Sequence, residues 1–325
     1  MHLRRRRLLQ LAGATALVAA SRVARAQTYP ARAVRLIVPF GPSSGVDIAS
    51  RLFADRLSAR WGQPVVVENR PGADGLLAIG AFTSANDDHT LLVMPVGTFT
   101  VHPYTHDKLP YDAERDLQPI SSVTAVILAL SAAPNLPVRT LGDLVALARA
   151  EPGKLNAAAA NGNAEFLLFG FLKTAGLDVP KVPYRDITQA PNDLAEGRIQ
   201  VLMSSLAIVR PHMQAGRLKV LAVTSRARAT IAPDVPTVGE AGFPALQLES
   251  LIGAFGPRGM PLDLRERIAA DFRAVLASDP VIAQRIAATG QVVQVSGPAE
   301  LAAGIAEQRA KLAAIAKALD IKTAQ

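Results

Sequence analysis

The chain has 325 residues, half of them hydrophobic, which is enough for one large or two medium-sized globular domains. It contains no cysteine, which excludes disulfides, cysteine nucleophiles and thiolate metal sites. The formal net charge is +8, but the six arginines of residues 1–26 carry six of these charges, so residues 27–325 retain only +2. That balance gives no reason to expect nucleic-acid binding.

Residues 1–26 are predicted to be a signal peptide that is removed on export to the periplasm. A basic start precedes an apolar core, Leu8 to Ala20, and Ala24-Arg25-Ala26 forms a small-x-small cleavage signature. The segment "RRRLLQ" also resembles a twin-arginine export signal, although an ordinary basic region explains it equally well. Further along, no apolar run reaches 18 residues, so no membrane span is expected.

Strand-like and helix-like patterns then alternate along the chain. Three apolar runs predict strands at 33–40, 64–70 and 90–96, with amphipathic helices between them at 47–62 and 75–86. A second set of strand patterns follows at 124–132, 155–161, 179–184, 199–205 and 218–225. Helices are predicted within that set at 140–152, 164–176 and 191–198, and in the last part of the chain at 261–278, 279–289 and 298–319. Thr140 and Asp143 have capping-box spacing at one helix start.

This order predicts an α/β protein of two lobes, each a mainly parallel sheet flanked by helices. Ligands of such sheets bind at the carboxyl ends of strands, so a cleft between the lobes is the expected site.

The loop "VPFGPSSGVD", Val38 to Asp47, links the first predicted strand to the first predicted helix. The first N–H groups of a helix lack internal partners and attract anions, and Ser43 and Ser44 add hydroxyl groups. The loop is therefore either an anion-binding site or a tight turn capped by Ser44 or Asp47. The residues alone favour the turn slightly, and the phosphate-loop pattern is absent.

Three other loops occupy similar places at strand ends. "AAANGNAEF" has Asn163 as a natural N-cap, and "ENRPGADG" follows the second strand. "VPYRDITQ" supplies Tyr184 and Asp186, which either line a cleft or serve the core and a turn. In every case simple capping or packing is the alternative to ligand contact.

Nothing in the sequence points to catalysis, a metal or a cofactor. No G-x-S-x-G occurs, and no carboxylate pair is placed for acid–base work. His102 and His106 are four residues apart, but Pro103 argues against a shared helical face. The alternatives to a binding protein are an enzyme on the same fold and an interaction protein without a small ligand.

Over nearly its whole length after residue 26, the chain resembles the periplasmic solute-binding receptors of tripartite tricarboxylate transporters, the Bug family. The resemblance is carried by ordered blocks, among them "YPARAVRLIVPFGPSSGVDIASRLFADRLSARWGQPVVVENRPGADG", "KLPYDAERDLQPIS", "KVPYR" and "GRLKVLAVTSRARATIAPDVPTVGEAGFP". It implies a type II-like periplasmic-binding fold that closes about a hinge of crossover strands on a small carboxylate. The resemblance also implies that lobe 1 comprises residues 27–124 and 248–325 and that lobe 2 comprises residues 125–247. A membrane transporter or a sensor protein would be the partner, and the receptor would act as a monomer.

The resemblance, with the loops above, implies ligand contacts at loop level. The expected positions are Phe40, Pro42, Ser43, Ser44, Gly45, Val46, Asp47, Ala73, Asp74, Gly75, Gly97, Thr98, Asn161, Gly162, Asn163, Glu165, Tyr184, Asp186 and Ser204.

Several positions depart from the family pattern. Val46 replaces a hydroxyl, and Glu165 and Asp186 add negative charge. We hypothesise that this acidity tolerates an amino group or a nitrogen-bearing ligand. A calorimetric screen in which only citrate-like anions bind would contradict that hypothesis.

Overall fold

The computed structural model describes residues 29–160, 162–184 and 187–321, which form two β-sheets flanked by helices. The predicted signal peptide, Asn161 and Asp186 lie outside these residues. Within the described ranges, no helix is long and apolar enough to cross a membrane.

The first sheet has six strands in the order β10-β4-β9-β3-β1-β2. Their bounds are β1 Val34–Val38, β2 Val65–Asn69, β3 Thr90–Pro95, β4 Gln118–Val126, β9 Ser250–Gly256 and β10 Gln291–Val293. Helices flank it on both faces: α1 Gly45–Trp61, α2 Leu76–Ala85, α3 Val96–Thr105, α4 Ala113–Asp116, α9 Leu262–Ser278, α10 Pro280–Ala288 and α11 Pro298–Ala318. We call this sheet and its helices the first lobe.

The second sheet has four strands in the order β6-β7-β5-β8. Their bounds are β5 Leu128–Ala132, β6 Ala157–Ala159, β7 Val201–Ser205 and β8 Lys219–Val223. The accompanying helices are α5 Leu141–Ala150, α6 Asn163–Thr174, α7 Ala190–Ala195 and α8 Leu206–Gln214. This sheet and its helices are the second lobe.

Two α/β sheets are confirmed, but the strand pairing is mixed and not mainly parallel. In the first sheet β1 is parallel to β2 and β3, whereas β9 is antiparallel to β3 and β4, and β10 is antiparallel to β4. In the second sheet only β6 and β7 are parallel among the named strands. The parallel pairs are those joined by local β-α-β crossovers, and the antiparallel pairs join strands distant in sequence.

Local signals fix several helix ends. Ser44 Oγ accepts a hydrogen bond from Asp47 N at 3.2 Å and caps α1, which ends at Gly62 with φ of 66°. The predicted capping box at Thr140 and Asp143 is confirmed at the start of α5.

Two helices that the sequence does not predict contain a proline. Helix α3 contains Pro103 and α8 contains Pro211, and neither helix was predicted. Both prolines lie near the end of a short helix, where few hydrogen bonds remain to be lost. As a result His102 and His106 are neighbours, with ring centroids 4.8 Å apart, contrary to the expectation from Pro103.

The chain crosses between the lobes twice, once where β4 leads into β5 and once on the way into β9. Helix α11 also joins the lobes because it packs on β4 and α3 of the first and on α6 of the second. Val101, Phe166 and Leu312 share a buried cluster there. The two crossings connect the lobes covalently, and α11 holds them together by packing on both.

Gly170 tests the packing of α11 on α6. A Cβ at this position would lie 2.3 Å from Ile315 Cγ2, whereas a Cβ at Gly80 in α2 would meet nothing within 4 Å. We expect Gly170→Ala to lower the free energy of unfolding by about 1–3 kcal/mol through overpacking. Gly80→Ala should raise it by about 0.5–1 kcal/mol, since alanine is the better helix former. Urea unfolding of both variants measures this, and equal effects would contradict the packing.

Candidate functional site

The carboxyl ends of β1, β2 and β3 lie side by side at one edge of the first sheet, because these strands are parallel neighbours. Asn69, at the end of β2, donates from Nδ2 to Phe40 O at 2.9 Å. A Cβ at Gly75 would lie 3.1 Å from Thr98 Cγ2. The three predicted loops of the first lobe, at 40–47, 73–75 and 97–98, are therefore brought together.

Asp47 organises the loop at residues 40–44. Its side chain accepts from Ser43 N at 2.9 Å, from Asn69 Nδ2 at 2.8 Å and from Arg51, whose Nη2 lies 2.9 Å from Oδ1. Asp47 is only 2% exposed, and Ser43 has a left-handed φ of 68°. The buried carboxylate thus holds Ser43 in a conformation that non-glycine residues rarely adopt.

The Asp47 carboxyl is stabilised in its charged form, which is the form that accepts these hydrogen bonds. Burial raises the pKa of its carboxyl, but the hydrogen bonds from Arg51, Asn69 and Ser43 outweigh burial and hold the pKa below its ordinary value. Its charge is matched by Arg51, so it positions the loop and does not offer a free carboxylate.

The other predicted residues of this loop divide into exposed and buried groups. Phe40, Pro42 and Ser43 are exposed, and Ser44 serves as the helix cap. Val46 is 6% exposed and packs in the hydrophobic core, so its side chain does not replace a ligand-facing hydroxyl as expected. The loop presents an aromatic ring, one hydroxyl and the first N–H groups of α1. These N–H groups have no hydrogen-bond acceptor within the helix.

The turn at residues 73–75 is held by a buried histidine. Ala73 and Asp74 both have left-handed φ, at 47° and 49°. His102 Nε2 lies 2.9 Å from Asp74 O, and its Nδ1 lies 2.7 Å from Tyr111 Oη. Since a carbonyl only accepts, Nε2 carries the proton and Nδ1 accepts from the tyrosine hydroxyl. The N–H at Nε2 of His102 therefore fixes this turn.

A similar edge exists in the second sheet, where β6 and β7 are parallel. Helix α6 follows β6 through Gly162, whose φ is 71°, and α8 follows β7 with Ser205 as its N-cap. Ser204 is fully buried at this strand end, and its Oγ has no hydrogen-bond partner among the described residues.

The edges of the two lobes face each other and touch. A Cβ at Gly97, at the start of α3, would lie 2.3 Å from the side-chain nitrogen of Asn163, at the start of α6. A Cβ at Gly290, before β10, would lie 1.8 Å from Ala207 Cβ near the start of α8. The N-terminus of α3 therefore meets the N-terminus of α6, and the turn between α10 and β10 meets the start of α8.

The predicted site residues of the second lobe have other roles than expected. Asn163 is not the N-cap of α6, because Gly162 takes that position, and its Oδ1 instead accepts from Gln308 Nε2 at 3.1 Å. Glu165 forms an ion pair with Lys181, so its charge is matched. Tyr184 donates its hydroxyl to Asp193 Oδ2 at 2.5 Å. The hypothesis of an amino-group site loses the support of Glu165.

Three residues that shape this region were missed in the sequence. Asn69, His102 and Gln308 hold the loops through side-chain hydrogen bonds. Asn69 stands at a strand end, which is a usable signal. Gln308 lies 145 residues from its partner Asn163, and no local pattern reveals such a contact.

The two arginines beside the described loops of the first lobe are already paired. Arg51 is bound to Asp47, and Arg70 is paired with Glu68. Within the described ranges, no group of three or more His, Asp or Glu residues could hold a metal ion. Backbone N–H groups and hydroxyls are therefore what the loops offer to a ligand.

Comparison with known proteins identifies relatives over most of the chain. The family model described as "Tripartite tricarboxylate transporter family receptor" matches residues 49–321. The protein BugT of Bordetella pertussis is 32% identical over 318 residues, which cover 96% of this chain and 97% of that relative.

Solved structures show the same fold. MatC from Rhodopseudomonas palustris, with bound malate, is 26% identical with a TM-score of 0.70, covering 88% of this chain and 99% of that one. An R. palustris protein with adipate is 28% identical with a TM-score of 0.72, covering 90% and 99%. The matched family and these structures are binding proteins.

Replacing Asp47 tests its role in the first loop. We expect Asp47→Ala to lower the free energy of unfolding by about 2–3 kcal/mol, because Ser43 N and Arg51 lose their buried acceptor. Asp55, which is exposed in the same helix, is the matched control, and Asp55→Ala should change stability by less than about 0.5 kcal/mol. Chemical denaturation measures both, and similar losses would show that Asp47 has no special role.

His102 gives a pH prediction with a definite sign. Burial lowers its pKa below the ordinary value of 6.5, despite the opposing hydrogen bond to Asp74 O. As pH falls through 6.5 the unfolded chain takes up the proton first, so stability is full above that pH and declines below it. Unfolding measured from pH 7.5 to 5 should show a shallower decline in His102→Gln than in the wild type. Identical slopes would contradict a neutral buried His102.

Proposed function

Because this chain belongs to the tripartite tricarboxylate transporter receptor family, we propose that this solute-binding receptor captures a small carboxylate between its two lobes. The observation that carries the proposal is the contact between the N-terminus of α3, at Gly97, and the N-terminus of α6, at Asn163. Malate and adipate occupy two of the structurally similar proteins, which supports a carboxylate of similar size.

A carboxylate suits these edges for an electrostatic reason. The N-terminus of a helix carries about half a positive charge and presents unpaired N–H groups. Hydrogen bonds from such N–H groups to an ionised oxygen are stronger than those between neutral groups. With Arg51 already bound to Asp47, the loop of the first lobe holds an anion by its backbone and by the exposed hydroxyl of Ser43.

The receptor acts by binding and release, and not by catalysis. Ligand contacts on both edges favour a closed arrangement over an open one, which is a shift of a two-state equilibrium. The two crossings, into β5 and into β9, are the natural hinge. We place the lobe boundaries near residues 124 and 247, as the sequence predicts.

The family membership also guides the proposed setting. We propose that residues 1–26 direct export and that the mature receptor works in the periplasm. There its ligand-bound form is presented to a membrane transporter or a sensor protein. The absence of membrane-spanning helices in the described residues is compatible with this setting.

Paired ligands of equal length test the proposed chemistry. Titration calorimetry with malate, adipate and succinate should give binding for at least one diacid, whereas butane-1,4-diol, which lacks the carboxylates of succinate, should give none. Binding of the diol as tightly as the diacids would contradict recognition by helix N-termini.

A Ser43 variant locates the site in the first loop. Glycine tolerates the left-handed φ of Ser43, so Ser43→Gly removes the hydroxyl without adding strain. We expect a loss of affinity for the diacid of about 10- to 150-fold, the value of one hydrogen bond to a charged group. Ser84→Ala, at an exposed position far along α2, is the control and should bind normally. Unchanged affinity in Ser43→Gly would mean that the hydroxyl does not touch the ligand.

A further inference from the structure

A cavity of about 290 Å³ lies beside helix α11, at the second crossing between the lobes. Its walls come from α11, from the segment Gln247–Leu251, from Gln294 after β10 and from Arg226 of the second lobe. None of its lining residues belongs to the loops of the candidate cleft. The cavity is therefore a separate space, with a volume near the lower limit of small-molecule sites.

Charged groups of both signs line this cavity. Glu307 and Arg226 pair with each other at 2.6 Å, and both are more than half exposed. Glu300 accepts from Gly297 N at 2.9 Å and completes the capping of α11. Two of these charged residues thus neutralise each other at the rim, and the third caps the helix.

Glu249 and Lys311 are the remaining charges, and both are partly buried. Glu249 accepts from Gln294 Nε2 at 3.0 Å, and Lys311 Nζ donates to Gln247 O. Among the described residues neither forms an ion pair within 4.0 Å, either with the other or with a third residue. A cation and an anion thus line one cavity without neutralising each other.

Partly buried charges without a direct ion-pair partner are costly, and a ligand that carries both signs reduces this cost at both ends. Burial lowers the pKa of Lys311, although the nearby charge of Glu307 opposes this effect. Leu248, Leu251 and Ala303 also line the cavity and offer apolar contact for a short hydrocarbon chain.

We propose that this cavity is a second binding site, which takes a small zwitterion such as an amino acid. The ammonium group of the ligand binds the carboxylate of Glu249, and its carboxylate binds Lys311. The cavity differs from the carboxylate site in the cleft, because none of the expected ligand-contact residues lines it, although Gln308 of its lining also holds Asn163.

Three four-carbon probes test the requirement for both charges. Calorimetry with 4-aminobutanoate should show binding, whereas butanoate and butylamine, which each keep one of its charges, should bind at least tenfold more weakly. Equal affinity of either single-charge probe would overturn the proposal, as would the lack of any binding of 4-aminobutanoate at millimolar concentrations.

Single substitutions place the probe in the cavity. Glu249→Gln and Lys311→Met should each weaken 4-aminobutanoate at least tenfold. Lys317→Met, on the same helix but outside the cavity, should leave its affinity unchanged. Glu249→Gln keeps the shape of the side chain, so it remains informative if Lys311→Met folds poorly.

The cleft variant separates this proposal from the proposed function. Ser43→Gly should leave 4-aminobutanoate binding unchanged while it weakens the diacid. If 4-aminobutanoate instead weakens in Ser43→Gly and persists in Glu249→Gln, the zwitterion binds in the cleft. The second site is then refuted, and the carboxylate receptor stands.

Discussion

The buried carboxylate of Asp47 is the interaction on which the first binding edge depends. It joins the loop before α1, the end of β2 and the first turns of α1 through Ser43, Asn69 and Arg51. Without this acceptor, the left-handed Ser43 would lack the group that compensates for its backbone strain. One side chain thus orders three segments.

The same principle is repeated around the gap with different residues. His102 holds the turn at Asp74, and Gln308 holds Asn163 against the start of α3. In each case a buried polar side chain forms a hydrogen bond to the segment from the protein interior. The segment therefore needs no charged side chain of its own to hold its conformation. A site built from backbone donors is preorganised in this way, and its selectivity depends on which positions around it carry side chains.

The sequence predicted what is local and failed for what is distant. The cap at Ser44, the capping box at Thr140 and the loops at the ends of β1 to β3 follow from residues within a few positions of one another. Strand β9 pairs with β3 in antiparallel orientation, although the two strands lie far apart in the chain. The alternation of apolar and polar residues within a strand does not specify such a distant partner. Asn163 shows the same limit, since its capping propensity lost to a contact with Gln308.

Helix α11 has a mechanical consequence. Its 21 residues extend for about 30 Å and lie against both lobes, with Ile315 seated over Gly170 of α6. Any change in the angle between the lobes must therefore displace α11 along the surface of α6, in addition to bending the two crossings. Packed helices slide past each other only by small steps, which makes shear at this contact a mechanical limit on how widely the receptor opens.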